Sequence, residues 1–569
     1  MIGAVPKTLT DALNNAPAAR TFIRFHGAGD DCETVTFGEF RRRSRMQAAL
    51  LCERGIGMGD RVMIIMPQGI PAMTAFAGAM MLGAVPAFLA YPNFKIEPTK
   101  FRFGLQGVTA NLRARLVMID EEFPDEMLEY IALGDATQVA RAGTAAMLSE
   151  VAFPEPEIGA DSLAFLQHSA GTTGLQKGVA LTHRAVLRQI QTLAQALEID
   201  GSVDRVYSWL PLYHDMGLIA CFILPLVCHV PVVMQSPLDW VMHPDTMLEA
   251  ISQNGCTLSW LPNFAFQFVA RRGTPDEWAR YSLSSMRAFI NCSEPVRAAS
   301  MDEFYRAFHS IGLKREAMQS SYAMAENVFA VTQSGINGST QPARVKASAK
   351  EFRAEHRIVG VREDAPDAMT FVSSGRLLPG NEVSIVSESG TALDYGQVGE
   401  ILIKSDCLFD GYYNRPDLTE RALVDGWYHS GDLGFLLDDE LYVVGRKKDL
   451  LIIGGENIYP QDLEEIACAH PAIHDGRALA IGLYDPDLGT EVVLLVAEVE
   501  RLELLKDAST IESEVRSQIV AATGVSVRKL FLKPPKWIVK STAGKPARST
   551  TQDKLLQEHP ELQGERNGL

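Results

Sequence analysis

Apolar strands that recur between amphipathic helices constrain this chain more than any other feature. Asp60–Pro67 (DRVMIIMP) is apolar almost throughout and stops at a proline, and after an intervening helix Gly83–Pro92 (GAVPAFLAYP) reads as the next strand. Ala110–Ile119 makes another helix-to-strand step, and further strands are expected at Val206–Leu210, Val230–Met234, Thr257–Leu261 and Ala288–Cys292. A strand apolar on both sides must be covered on both sides, and parallel neighbours need crossover helices, so the pattern predicts an α/β protein with parallel sheets. At 569 residues the chain exceeds one simple core and should divide into three or four units. Its start reads as a short opening helix and a strand, Thr21–His26. Val35–Ile56 then reads as a strand end and a helix that buries Met46, Leu50 and Leu51 and exposes Arg41–Arg43.

The pattern changes near Val372. EVSIVSESGTAL, GEILIKSD and LYVVGRKK alternate apolar and polar residues, which predicts a smaller antiparallel or barrel-like β unit. A last α+β unit starts near Lys448, with helices at Pro460–Ala469 and Thr510–Thr523 and strands at Arg477–Gly482 and Glu491–Val499. The final twenty residues are polar and are expected to fray.

A net charge of −17 argues against a general nucleic-acid-binding surface. Pro71–Pro92 and Gly217–Met234 are apolar but broken by glycine, proline or polar residues. They suit buried helix-plus-strand units better than membrane spans. The start of the chain lacks a basic segment followed by a long apolar core, so a cytoplasmic location is expected. None of the eight cysteines forms a CxxC pair or a zinc-spaced cluster, which fits small buried thiols in a reducing compartment.

Ser169–His183 (SAGTTGLQKGVALTH) is the stretch with most chemical content. It follows an apolar segment at Ser162–Leu166 and precedes helical spacing at His183–Leu197. A turn rich in glycine and threonine between strand and helix exposes N–H groups and hydroxyls, and Lys177 adds positive charge, a combination that suits polyphosphate. It is not a Walker loop, because Lys177 follows Gln176 and precedes Gly178. A surface loop is the alternative from this stretch alone.

Four more stretches follow in order: YAMAEN (Tyr322–Asn327), DGWYHSGDLG (Asp425–Gly434), GRKKDLLIIGGENIYPQDLEE (Gly445–Glu465) and KSTAGKPAR (Lys540–Arg548). With the glycine-rich turn, they resemble the motifs of the adenylate-forming superfamily of acyl-CoA synthetases, peptide-synthetase adenylation domains and luciferases. That resemblance implies a large N-terminal domain over residues 1–446, β-rich from about 372 to 446. A hinge at 447–449 and a mobile C-terminal lid at 450–569 would follow. It implies attack of a carboxylate on the α-phosphorus of ATP, giving acyl-AMP and pyrophosphate. Two anions must meet, so the site must supply positive charge, Mg²⁺ and fixed donors.

By this resemblance Ser169, Thr172, Thr173, Gly174 and Lys177 grip the phosphates and Glu326 holds Mg²⁺. Tyr322, with Ala323 and Met324, lies against adenine, as do Glu294 and Pro295 of NCSEPV. Asp432 accepts the ribose hydroxyls and Arg446 approaches the same sugar. Lys545 neutralises the α-phosphate and carboxylate, with Lys540 a weaker candidate, and Lys448 is the hinge residue. In WLPLYHDMGL, His214 gates the thiol path, and Trp209, Met216 and Leu261 line a hydrophobic acyl pocket.

Within the superfamily, fatty acyl-AMP ligases resemble this chain most. Gln167 before the turn, LPLYHDMGL, Ala325 before the glutamate and VSSGRLLPG (Val372–Gly380) carry that likeness. The span from Glu326 to Gly375 is longer than in an ordinary CoA synthetase, and its excess falls in polar residues around Ser339–Ala368. In such ligases an insertion here restrains the lid and disfavours CoA. The implied acceptor is the phosphopantetheine thiol of an acyl carrier protein and the implied substrate is a fatty acid. CoA as acceptor, competence in only one half-reaction, and a non-catalytic binding relative are the alternatives. Gln176, Ala170 and Val539 depart from the usual pattern.

Overall fold

The computed structural model describes residues 6–27, 32–92, 98–134, 137–141, 153–169, 177–335, 341–453, 456–485, 488, 490–540 and 546–563. The expected parallel strands form in two sheets. One has Val85–Phe88, Arg61–Ile65, Leu116–Ile119 and Gln138–Arg141 side by side, all parallel. The other is a 14-stranded sheet whose parallel part runs Met318–Ala323, Ala288–Asn291, Leu258–Leu261, Val206–Ser208, Val232–Gln235, Thr21–His26.

The β-rich segment after Val372 is hydrogen-bonded to the central sheet. Its strands Asn381–Val386, Gly399–Ser405, Trp427–Leu437 and Glu440–Arg446 are antiparallel, as expected. They join the central sheet through Arg376–Leu377 and Ala330–Gln333, so one hydrogen-bonded path runs from the parallel half to the antiparallel half.

The apolar stretches are interior elements. Ile70–Met81 is a helix with Pro71 in its first turn, where the missing N–H costs nothing, and every other residue in it is buried. Gly217–Met234 contributes most of a π-helix, Met216–Ile223, then the α-helix Leu224–Cys228 and the strand Val232–Gln235. No helix among the described residues is long and apolar enough to cross a membrane. Phe76 ties three sheets together. It stacks on Phe88 at 4.6 Å, meets Phe165 at 5.5 Å and Phe222 at 6.3 Å, and Phe222 continues to Phe22 at 6.2 Å.

The C-terminal part has its own three-stranded sheet, Ile473–Asp485, Thr490–Val499 and Val527–Lys533, backed by Pro460–Cys468 and Ala508–Thr523. The tail is not frayed as far as it is described. Arg548–Glu558 is a helix whose Leu555 and Leu556 are buried in a cluster with Ile481, Phe531 and Ile538. Burial pushes the thiols of Cys221, Cys228, Cys256 and Cys407 up to about 12, as expected of inert cysteines.

Candidate functional site

Lys177 opens the site, but in a different frame from the expected strand–turn–helix. Leu163–Ser169 runs antiparallel to Lys177–Thr182, with Ser169 directly opposite Lys177. The helix His183–Ala196 begins only after this second strand, where the Thr182 hydroxyl accepts from Ala185 N at 3.2 Å. No helix dipole therefore starts at the end of the glycine-rich stretch, and the charge of Lys177 matters more. Thr172, Thr173 and Gly174 lie outside the described residues, as does Lys545.

The Lys177 ammonium stands 4.3 Å over the ring of Tyr412, on the short strand Gly411–Tyr412 that pairs with Val179 and Ala180. The Tyr412 hydroxyl donates to Glu326 Oε1 at 2.8 Å and lies 3.4 Å from the Tyr428 hydroxyl. Glu326 is buried in the single turn Ala325–Asn327. Val328 closes that turn at φ 60°, ψ −54°, with Phe329 N donating to Asn327 O at 2.6 Å, which is a strained γ-turn on a β-branched residue. Burial pushes the Glu326 carboxyl above its usual range. The Tyr412 hydrogen bond and the charge of Lys177 pull it back, and the Asp215 carboxylate pushes it further up. Asp215 accepts from Met216 N and pairs with His214 Nδ1, both at 2.7 Å.

A second set lies on the antiparallel half of the sheet. Asp432 and Arg446 sit directly opposite one another on Trp427–Leu437 and Glu440–Arg446. Arg446 Nε is 3.2 Å from Asp432 Oδ1, and the Tyr322 hydroxyl donates to Asp432 Oδ2 at 2.6 Å. The Tyr322 ring is buried, and its strand ends at Ala323 before Met324, whose N–H donates to Phe329 O at 2.9 Å. Asp432 lowers the energy of the charged guanidinium of Arg446, whose pKa is raised further by Asp449, Tyr322 and Glu326. Lys448, in the 3₁₀ turn Lys447–Asp449, has its pKa lowered by burial and by Arg446, and it feels Asp432 and Lys177 as well. One electrostatic neighbourhood thus joins Lys177, Glu326, Tyr322, Asp432, Arg446 and Lys448.

Glu294 is held in place: its Oε2 accepts from Phe264 N at 3.1 Å, at the start of the helix Asn263–Ala270. Ser293 before it has φ 72°, and Pro295 follows. The segment carrying His214 is fixed from two sides. Gln167 Nε2 donates to Tyr213 O at 3.0 Å, and Gln68 bonds Leu212 N and Leu210 O. Gly217 is required here, because a Cβ would overlap the Pro211 carbonyl. Trp209 stacks on Trp240 with 3.6 Å between centroids and meets Phe264 edge-on; Leu261 ends the neighbouring strand and Met216 begins the π-helix. All three expected acyl-pocket residues are buried.

Asp215, Tyr412 and Tyr428 belong to the site without having been expected there. Asp215 had a signal, its place beside His214 in YHDM. Tyr428 had one as well, its place in DGWYHSGDLG, whereas Tyr412, in GYYN and 86 residues from Glu326, had none.

The sequence matches the model of a family described as AMP-binding enzyme over residues 9–413. The chain is 31% identical over 560 residues to the long-chain-fatty-acid–AMP ligase FadD32 of Mycolicibacterium smegmatis, covering 90% of this chain and 87% of that one. It is 29% identical to the medium-chain-fatty-acid–[acyl-carrier-protein] ligase JamA of Moorena producens, covering 97% and 95%. A solved structure from studies of fatty acyl-adenylate ligases of E. coli and L. pneumophila superposes with a TM-score of 0.89 at 27% identity, covering 97% of this chain and 98% of that one.

Proposed function

Given that the chain belongs to the AMP-binding enzyme family, we propose that it joins a fatty-acid-like carboxylate to AMP and passes the acyl group to the phosphopantetheine thiol of an acyl carrier protein. One observation carries this reading: a buried carboxylate, an ammonium and a carboxylate–guanidinium pair converge on one neighbourhood, at Glu326, Lys177, Asp432 and Arg446. Asp432 would exchange its Tyr322 partner for the ribose hydroxyls. Lys177, with residues 169–174, would grip the phosphates, and Lys545 would reach the α-phosphate. Glu294, Pro295, Ala323 and Met324 would wall the adenine with Tyr322. Trp209, Met216 and Leu261 would face the acyl group, and His214 the thiol path.

The donors around Glu326 are hard oxygens with Asp215 nearby, which suits Mg²⁺. Bound there, the ion would neutralise phosphate charge as pyrophosphate leaves. Because burial raises the Glu326 pKa, the metal must displace a proton as pH falls through that raised value. The Mg²⁺ concentration for half-maximal rate should therefore rise with acidity, by about tenfold per pH unit below it. Pyrophosphate release titrated with Mg²⁺ at several pH values checks this, and a pH-independent requirement would remove Glu326 from the metal site.

The proposed division into residues 1–446, a hinge at 447–449 and a lid at 450–569 draws support from the separate C-terminal sheet. The polar insertion supports the choice of acceptor. Its helix Ala349–Glu355 touches the lid: Phe352 stacks on Tyr459 at 5.0 Å, and Arg353 Nη1 donates to Thr523 O at 3.2 Å. Such a ring pair and hydrogen bond together hold about 2 kcal/mol, a population shift of more than ~10-fold. The double variant Phe352→Ala, Arg353→Ala should release the lid and raise acyl-CoA formation by about that factor. An unchanged product ratio would deny the insertion its role.

The whole reading is tested by supplying ATP, Mg²⁺ and mixed carboxylic acids with CoA and holo-carrier protein in competition, and identifying products by mass spectrometry. Acyl-CoA as the dominant product overturns the carrier-protein acceptor. No pyrophosphate release with any acid overturns the ligase reading.

A further inference from the structure

The site above is built where the central strands end: Trp209–Asp215 follows Val206–Ser208, and Glu294 follows Ala288–Asn291. At the opposite, amino end of Val206–Ser208 and of its neighbours Val232–Gln235 and Thr21–His26 lies a cavity of about 500 Å³. Arg20 and Thr21 enter it from the start of Thr21–His26, and Arg24 lies further along that strand. Arg205 comes from the residue before Val206–Ser208, and Asn254 from the end of the helix Thr246–Asn254.

Three arginines thus line one cavity, and among the described residues none has a carboxylate within ion-pair distance. Arg205 Nη1 donates to Asn254 O at 3.1 Å, and Arg24 Nε to Cys32 Sγ at 3.3 Å. The carboxylate in the lining, Asp204, is already committed. It is buried and takes Arg287 Nη1 on both oxygens at 2.7 Å, with the Thr257 hydroxyl at 2.7 Å and Asp200 N at 2.9 Å. Asp200, which feels Arg20, accepts from both the hydroxyl and the N–H of Ser202. Like charges gathered around a cavity repel one another. This chain carries 70 acidic residues against 53 basic ones, so carboxylates to quench such a cluster are plentiful. Guanidinium forks with hydroxyls and amides around them match phosphoryl oxygens, and the volume is that of a small-molecule site.

We infer that this cavity binds a small, multiply charged phosphoryl anion, at a site separate from the phosphate grip of Lys177. The inference does not depend on the reaction proposed above. Calorimetric titration of the full-length chain with inorganic pyrophosphate should find two sites. Lys177→Ala should weaken one and leave the other. The double variant Arg24→Gln, Arg205→Gln should abolish the second, since removing each charge-assisted hydrogen bond weakens binding by about tenfold or more. Thr34→Glu, which keeps every arginine and adds a negative charge to the lining, should abolish it too. ADP in place of pyrophosphate tells a nucleotide from a free polyphosphate by which binds this site more tightly. A single site that disappears in Lys177→Ala overturns the inference. So does a second site that survives both cavity variants.

Discussion

Glu326→Gln should lower kcat/KM for Mg²⁺-dependent pyrophosphate release by roughly 10²- to 10³-fold while leaving the fold intact. Glutamine keeps the shape and can still accept the Tyr412 hydroxyl through its amide oxygen, so the hydrogen bond at 2.8 Å survives. It removes only the charge. In a buried turn that charge is costly, which is why the carboxyl is raised above its ordinary range, so the neutral side chain should not destabilise the protein. The expected signature is therefore a large loss of rate with an unchanged or raised Tm. A loss of rate with an equal loss of stability would make Glu326 a structural residue, and an unchanged rate would take it out of the reaction.

Acidification should destabilise the protein steeply between pH 6.5 and 4, through His168 and His183. Burial drives both imidazoles down from 6.5 to about 4. Folded, they stay neutral where the unfolded chain already binds a proton. Their contribution is complete above pH 6.5 and is lost as the pH falls toward 4. Each shift corresponds to about 3 kcal/mol, a large part of the stability of a typical domain. His183 Nδ1 accepts from Leu9 N at 3.2 Å, tying the first helix to the helix after the Leu163–Ser169/Lys177–Thr182 strand pair. His168 precedes Ser169 on the strand that leads into the glycine-rich stretch. Urea unfolding at stepped pH checks this. His183→Gln should flatten the slope while keeping an acceptor for Leu9 N. A slope unchanged in the variant would assign the acid sensitivity elsewhere.

The elements that periodicity marks were legible in the sequence. Buried strands such as Arg61–Ile65 and Leu258–Leu261 stand out because both faces are apolar, and Ile70–Met81 because its length and breaks exclude a span. The glycine-rich stretch was legible as a phosphate candidate, but its frame was not. A short apolar run such as Gly178–Leu181 has no period of its own, so only pairing with Leu163–Ser169 and Gly411–Tyr412 made it a strand. The final twenty residues read as polar because Leu555 and Leu556 stand among many polar and charged residues. They became a helix face only when a sheet lay under them.

Local order in the chain determined which residue types stand in the candidate motifs: a lysine after a glycine-rich stretch, a glutamate after a tyrosine, an aspartate in GDLG. The tertiary structure alone decided what surrounds them. Tyr412 lies 86 residues from Glu326, and Asp432 lies 110 residues from Tyr322. Sheet register, set by burial and hydrogen bonding over the whole domain, brings Asp432 opposite Arg446 and Tyr412 under Lys177. The burial that raises the Glu326 pKa is likewise a property of the packed interior, and no short stretch of sequence contains it.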